Sequence, residues 1–255
     1  MFAWNRDRRR RQTLAVPVTA VDHAELHQQL WQARRLSVEQ QSTLIRWMRV
    51  FTAEKHWEGC LGLTVTNEMK QAVAAAAGLM VLGHRDWYFD RTQTILIYPN
   101  AYLAKLPASS QAAGIVGEFP RAGETVYGGP VVVNWKDIQR ARWSPEEGHH
   151  LVIHEFAHQL DMINGPQADG LPPLLDPTTE QRWLAAFTDE YQWARRCIEA
   201  GDRILLDDYG LVSLGEFFAV ASERYFQTPE ALASYHPQVF RLLEQFYRID
   251  LREFT

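Results

Sequence analysis

The segment HHLVIHEFAHQLD, residues 149–161, holds four of the nine histidines of the chain. Its apolar residues recur at helical intervals, which predicts a helix over 148–162. Within it, His154 and His158 enclose Glu155 in the pattern H-E-x-x-H. Residues four apart on a helix differ by about 40° around the axis and about 6 Å along it, so both imidazoles can reach one metal ion. Glu155 can then contact a metal-bound water without binding the ion.

Two other histidine pairs share this spacing and serve as comparisons. His23 and His27 are four residues apart, but the glutamate between them lies midway rather than directly after the first histidine. His150 lies four residues before His154, again without the adjacent glutamate. We expect no metal at His23 and His27, and we interpret His150 as a polar residue at the helix start.

A third metal ligand should come from elsewhere in the chain, because a catalytic zinc usually has three protein ligands and one open position. The carboxylates that follow the motif are candidates: Glu180, Glu190, Asp207, Asp208, Glu216 and Glu223. Glu216 begins a predicted helix over 214–226. Ser213 and Glu216 also have capping-box spacing, in which the glutamate would accept the backbone N–H of Ser213. The residues alone leave both roles open.

The remaining periodicities predict a mostly helical chain with a few strands. Ser37 and Gln40 have capping-box spacing, which predicts a helix over 38–56. Further helices are predicted over 68–77 with Gly78 closing it, over 179–199, and from Pro229 and Pro237. Short β-branched runs bounded by Pro and Gly predict strands over 94–98 and 130–134. A long loop is expected over 99–125. The predicted class is α+β, mostly helical with a small β-sheet.

Composition and length fit one globular domain that follows a basic arm. Apolar residues make up 46% of the 255 residues, and no apolar run approaches the ~20 residues of a membrane helix. Residues 6–11 carry a net charge of +4, which leaves −9 for the rest of a chain whose total is −5. We therefore expect a disordered N-terminal arm over 1–18 and a single domain over 19–255. The acidic body argues against direct nucleic-acid binding.

The location is expected to be cytoplasmic. The N-terminus lacks the apolar stretch of a secretory signal. Cys60 and Cys197 show no disulfide-framework spacing, which is typical of a reducing compartment.

Several segments together resemble the Mlc titration factor A family of bacterial zinc peptidases. They are HEFAHQLD (154–161), a tyrosine seven residues before EFFAV (216–220), LIYP (96–99), GPVVVNWKDI (129–138) and QFY (245–247). The tyrosine-to-glutamate spacing and EFFA also resemble the catalytic domain of anthrax lethal factor, a gluzincin. The resemblance covers about residues 20–250 and implies a zincin-like metallopeptidase fold with an active-site HExxH helix.

The resemblance also implies a set of site residues and an activity. His154, His158 and Glu216 would bind one zinc ion per chain, with Glu155 as the general base and Tyr209 as a catalytic hydroxyl. The implied activity is hydrolysis of peptide substrates, with aminopeptidase-like character. Family members also bind the glucose-responsive repressor Mlc.

Some features depart from the family pattern or stay open. His150 stands where we expect an amide in relatives, and the arginine-rich arm has no evident counterpart. Asp161 could orient an imidazole or serve at the helix end. The alternative function is a non-catalytic protein that sequesters a repressor, with a vestigial or structural zinc site and a binding surface such as loop 99–125.

Overall fold

The computed structural model describes residues 2–84, 86–100, 102–104, 119–121, 124–125, 127–174, 176–202, 204–206 and 208–252. Its α-helices are α1 (Phe2–Leu14), α2 (Ala20–Gln29), α3 (Val38–Glu54), α4 (Asn67–Met80), α5 (Trp135–Trp143), α6 (Leu151–Asp161), α7 (Pro177–Glu199), α8 (Leu214–Gln227), α9 (Pro229–Tyr235) and α10 (Pro237–Tyr247). Short 3-10 helices cover Trp31–Arg35, Pro145–Glu147 and Asp208–Leu211. The strands are β1 (His56–Gly59), β2 (Thr94–Tyr98), β3 (Tyr102–Ala104), β4 (Phe119–Arg121), β5 (Glu124–Thr125) and β6 (Val131–Asn134).

The main sheet is small and mostly parallel, with the strand order β1-β2-β6-β5. β1, β2 and β6 run parallel, and β5 is antiparallel to β6 at the edge. β6 is buried along its whole length, as expected for a parallel strand covered on both faces. β3 and β4 form a separate antiparallel pair. The prediction of a mostly helical α+β fold with a small sheet is confirmed.

Helix α6 lies at the centre of the core. All eleven of its residues are buried, and it packs most extensively against α8, with further contacts to α4 and β6. A helix that is covered on every side belongs to the interior of a domain. The polar residues of the H-E-x-x-H motif are therefore held within the protein rather than on a solvated face.

The predicted helix boundaries agree with the structure where capping residues and prolines define them. Ser37 caps α3 with a reciprocal capping box to Gln40, as its spacing predicts. Pro229 and Pro237 each occupy the first turn of a helix, where their missing N–H costs nothing. Helix α7 begins at Pro177, two residues before its predicted start. Helices α2 and α5 were not predicted from the sequence.

Gly78 does not close helix α4, so that prediction is wrong. The helix continues to Met80, and Gly78 lies within it. A Cβ at Gly78 would come within 2.6 Å of both Leu44 and Trp47 on α3. The glycine thus permits close packing of two helices, which a local sequence pattern does not reveal.

The N-terminal arm is ordered, contrary to the expected disorder over 1–18. Residues 2–14 form α1, and the Arg10 guanidinium makes two hydrogen bonds to Glu54 at 2.8 and 2.7 Å. The same guanidinium donates to Asp90 and lies over the ring of Tyr88. Two distant carboxylates therefore pair with a residue that the sequence shows only as part of a basic run. The boundary at residue 19 stays a prediction.

The expected loop over 99–125 falls mostly outside the described residues. Within it, the backbone of β3, β4 and β5 and of residues 99–100 is described.

Within the described ranges, every helix is too short or too polar to cross a lipid bilayer.

Candidate metal centre

His154 and His158 bring their Nε2 atoms together on α6. These atoms are 3.2 Å apart, and the two rings are nearly perpendicular, with centroids 4.9 Å apart. Both residues are buried. Helical spacing thus directs two imidazole nitrogens to one point beside α6.

Glu216 reaches the same point from the first turn of α8. Its Oε2 lies 3.0 Å from His154 Nε2 and 3.4 Å from His158 Nε2. Ser213 caps the helix through its own hydroxyl, which accepts the backbone N–H of Glu216 at 3.1 Å. The carboxylate of Glu216 faces the histidines, so the structure does not support the reciprocal capping role that the sequence left open.

The three side chains fit a divalent metal ion. Their ligand atoms all lie within 4.8 Å of one another, and no other such group occurs among the described residues. Glu216 Oε2 is buried, yet it accepts no hydrogen bond of good geometry within the described part of the chain. Two imidazole nitrogens and one carboxylate oxygen form the donor set of many catalytic zinc sites.

Glu223, one of the candidate third ligands, has a different position. It is 5% exposed, and its Oε1 lies 2.8 Å from His154 Nδ1, on the side of the ring away from Glu216. Its Oε2 accepts the backbone N–H of His150. Burial opposes the charge, but the bond to His154 holds the pKa of Glu223 below its ordinary value. Glu223 therefore fixes the orientation and tautomer of His154.

Sequence spacing contains a signal for this role. Glu216 and Glu223 are seven residues apart, which places both on one face of α8. This spacing indicates that both carboxylates can approach the same histidine, one at each of its ring nitrogens.

Among the described residues, neither Glu180 nor Glu190 belongs to this group of ligand atoms. Glu190 Oε1 pairs with His236 Nδ1 at 2.6 Å. Asp207 and the side chain of Asp208 lie outside the described residues.

The electrostatics of the centre favour a cation. Burial opposes ionisation of Glu216, but the adjacent imidazoles of His154 and His158 lower its pKa to about 2. Burial likewise opposes charge on His154, yet Glu216 and Glu223 raise the pKa of this histidine well above its ordinary value. Two ionised carboxylates thus surround the imidazole pair at neutral pH.

Glu155 and Tyr209 both lie beside the histidines. Glu155 follows His154 on α6, is buried, and contributes to the raised pKa of that histidine. Tyr209 lies on the 3-10 helix Asp208–Leu211, with its ring centroid 5.8 Å from that of His154. It is 55% exposed. A buried carboxylate and a solvent-accessible phenol therefore lie next to the two histidines.

The comparison histidines have other partners. His23 Nδ1 and His27 Nε2 lie 2.9 and 3.3 Å from the same Gln41 Oε1, so both face a hydrogen-bond acceptor. His150 is the N-cap of α6, as predicted, although its side chain makes no cap bond. Burial lowers the pKa of His150 to about 4, which keeps the ring neutral.

Asp161 is the last residue of α6. It is completely buried, and its Oδ2 accepts the backbone N–H of Gly170 at 2.8 Å. Burial raises the pKa of Asp161 to about 7. The contact with Gly170 is neither an imidazole contact nor a capping bond of α6, so it supports neither of the two roles left open.

Comparisons with known proteins agree with this geometry. Residues 4–248 match the family model described as glucose-regulated metallo-peptidase M90. An uncharacterized protein of Synechocystis, slr2042, is 32% identical over 85% of this chain and 79% of its own length. Proteins called Mlc titration factor A from Edwardsiella ictaluri and Serratia proteamaculans are 32% and 31% identical, over 84% and 74% of this chain and 82% and 72% of their own lengths.

The family model covers almost the whole chain, including most of α1, for which the sequence suggested no counterpart. A metallopeptidase family implies a divalent metal and peptide substrates, and the cluster of two histidines and one glutamate supplies a fitting site. The chain belongs to the family of glucose-regulated metallopeptidases designated M90.

Proposed function

We propose that this chain hydrolyses peptide bonds with one zinc ion held by His154, His158 and Glu216. The observation that carries the proposal is the convergence of these three ligand atoms within 4.8 Å, next to Glu155. The donor set is of the gluzincin type, with two histidines on one helix and a glutamate on a later helix. Zinc is proposed because nitrogen and carboxylate ligands with an open position are typical of its catalytic sites.

Each nearby side chain has a chemical task in this proposal. Zinc, when bound, supplies Lewis acidity toward water and a peptide carbonyl. The Glu155 carboxylate accepts a proton from water and passes it to the leaving amine, which contributes roughly 10²- to 10⁴-fold in rate. The Tyr209 O–H donates a hydrogen bond to the oxyanion that develops on the carbonyl oxygen. Glu223 keeps His154 in the tautomer that carries its proton on Nδ1 and leaves Nε2 free to bind the ion.

The test is the substitution Glu155→Gln. Glutamine has nearly the same shape but cannot accept the proton, so the variant should retain stoichiometric zinc and lose at least 10²-fold in peptide hydrolysis. Metal content and the cleavage rate of a chromogenic aminoacyl or peptide substrate are measured on the same preparation. Unchanged turnover would remove Glu155 as the base.

A second function is favoured by the names of the relatives. Several relatives at about 30% identity are called Mlc titration factor A. We propose that this chain also binds an Mlc-like transcriptional repressor. In the alternative proposal it only sequesters that repressor, with a zinc site that is structural or vestigial. Repressor binding by Glu155→Gln with turnover abolished supports two separate functions, whereas an inactive wild-type protein that binds the repressor supports sequestration alone.

The finer features of the proposal are an aminopeptidase-like preference and a cytoplasmic location. Tyr209 is exposed and lies beside His154, which suits access by short peptides. Cys60 and Cys197 are both free thiols, as is usual in a reducing compartment. A peptide library with free and acetylated N-termini tests the preference, since an aminopeptidase cleaves only the free ones.

A further inference from the structure

The loop that leaves α6 is held at Gly170 by two buried hydrogen bonds. The Gly170 N–H donates to Asp161 Oδ2, and the Gly170 carbonyl accepts from Trp183 Nε1, both at 2.8 Å. Asp161 is the last residue of α6, and Trp183 lies on α7. This part of the loop is therefore fixed to two helices.

The same part of the loop contacts the start of α8 through backbone atoms. A Cβ at Gly170 would lie 2.6 Å from the Leu214 carbonyl oxygen, and a Cβ at Gly215 would lie 2.4 Å from the Ala168 carbonyl oxygen. Gly170 also has φ +80°, which disfavours other residues. Two backbones thus meet through two glycines, immediately before Glu216.

Helix stability does not explain the carboxylate of Asp161. A helix C-terminus disfavours negative charge, and a carboxyl group with no exposure is costly to bury. Its visible contact is the Gly170 N–H, and Gly170 in turn contacts the first residue of α8. A short series of contacts therefore links α6, which carries His154 and His158, to the turn that carries Glu216.

We propose that Asp161 is a positioning residue for the metal centre, which acts through Gly170 and the loop on the first turn of α8. The inference rests on the proposed function, because it takes Glu216 as a metal ligand. Metal–ligand distances are fixed to about 0.2 Å, so a small displacement of the first turn would weaken the Glu216 contact. The loop sets the position of that turn against α6.

The test compares zinc affinities, measured by competition with a chromogenic chelator. Asp161→Ala removes the acceptor for Gly170, and Gly215→Ala forces the loop and α8 apart. We expect both to weaken zinc binding about 10-fold, within the range known for groups behind metal ligands. Asp161→Asn keeps an acceptor oxygen and should stay within about twofold of wild type. Gly165→Ala is the matched control, because a Cβ there meets nothing within 4 Å.

A merely structural role is distinguished by repeating the substitutions in a Glu216→Ala background. If Asp161 and Gly215 act through Glu216, they cause no further loss of zinc affinity there. An equal loss in both backgrounds, or wild-type affinity in Asp161→Ala and Gly215→Ala, overturns the inference. Should Asp161→Ala fail to fold, as seen by circular dichroism of the metal-free protein, Gly215→Ala against Gly165→Ala decides alone.

Failure of the proposed function gives a different result. In that case the wild-type chain binds no zinc, or Glu216→Ala binds it as tightly as wild type. If instead Glu216→Ala weakens binding while Gly215→Ala does not, the ligand assignment stands and the positioning role alone is wrong.

Discussion

At the scale of single residues, Glu223 determines how His154 presents its second nitrogen. Its carboxylate accepts hydrogen bonds from one ring nitrogen of His154 and from the backbone N–H at the start of α6. Both groups are buried, so no bulk solvent competes for these bonds. The Glu223 side chain therefore links the His154 ring, a proposed metal ligand, to the N-terminus of α6, the helix that carries it.

We predict that Glu223→Gln weakens zinc binding about 10- to 100-fold without removing a ligand. The amide is uncharged, and it cannot serve both groups as well as a carboxylate does. Zinc affinity by chelator competition is the measurement, with Glu199→Gln as the control, since Glu199 is 69% exposed in a surface pair with Arg195. Equal affinities in the two variants would contradict the role of Glu223.

Asp22 provides a pH-dependent prediction at the same scale. It forms a reciprocal capping box with Thr19 at the start of α2. Its hydrogen bonds to Thr19 and then to Arg49 lower its pKa to about 2. The folded pKa lies below the unfolded value of about 3.9, so its contribution is present above pH 4 and is lost as the pH falls toward 2.

Asp22→Asn should accordingly lower the free energy of unfolding by about 1 kcal/mol at pH 7, the usual size of a helix-cap contribution. The difference from wild type should shrink as the pH falls from about 4 to about 2. Urea unfolding at several pH values checks this, and a difference that stays constant down to pH 2 would exclude Asp22 as the source.

At the scale of elements, sequence periodicity predicted the helices that carry the site. The apolar stripe of α6 and the capping serine of α8 are local features, and both helices appear close to the predicted ranges. The seven-residue spacing of Glu216 and Glu223 places both on the face toward the histidines, but which carboxylate meets which nitrogen of His154 depends on how α8 packs against α6. The extension of α4 past Gly78 was missed for the same reason, since only the contact with α3 explains the glycine.

We predict that Gly78→Ala destabilises the protein by about 1–3 kcal/mol, the usual cost of overpacking a core. Alanine has the higher helix propensity by about 1 kcal/mol, so a net loss can only reflect the clash with Leu44 and Trp47. Urea unfolding is compared with Gly165→Ala, where a Cβ meets open space. A gain in stability for Gly78→Ala would show that α3 and α4 separate at little cost.

At the scale of the whole molecule, the sequence predicted a small sheet within a helical body but not the docking of its N-terminal segment. Arg10 pairs with Glu54 and Asp90, which are 44 and 80 residues away. No local pattern encodes such a pairing, and a run of arginines at a terminus is usually solvated. The proposed metal ligands are a parallel case, because Glu216 lies far from the histidines in sequence yet meets them where α6 and α8 pack.

Metal removal should therefore affect the stability of the whole molecule. In the proposed function, ligands on α6 and α8 are joined by an ion that binds only the folded chain, and free metal at 100 times its dissociation constant adds about 2.7 kcal/mol. For a chain of this size that corresponds to a rise of about 5–10 °C in Tm. We predict that a chelator lowers the Tm of the wild type by about this amount, whereas Glu216→Ala, with its weakened site, responds much less. Scanning calorimetry at fixed free zinc and again with the chelator measures the change in Tm of each protein. An equal change in the two proteins would show that the ion binds elsewhere.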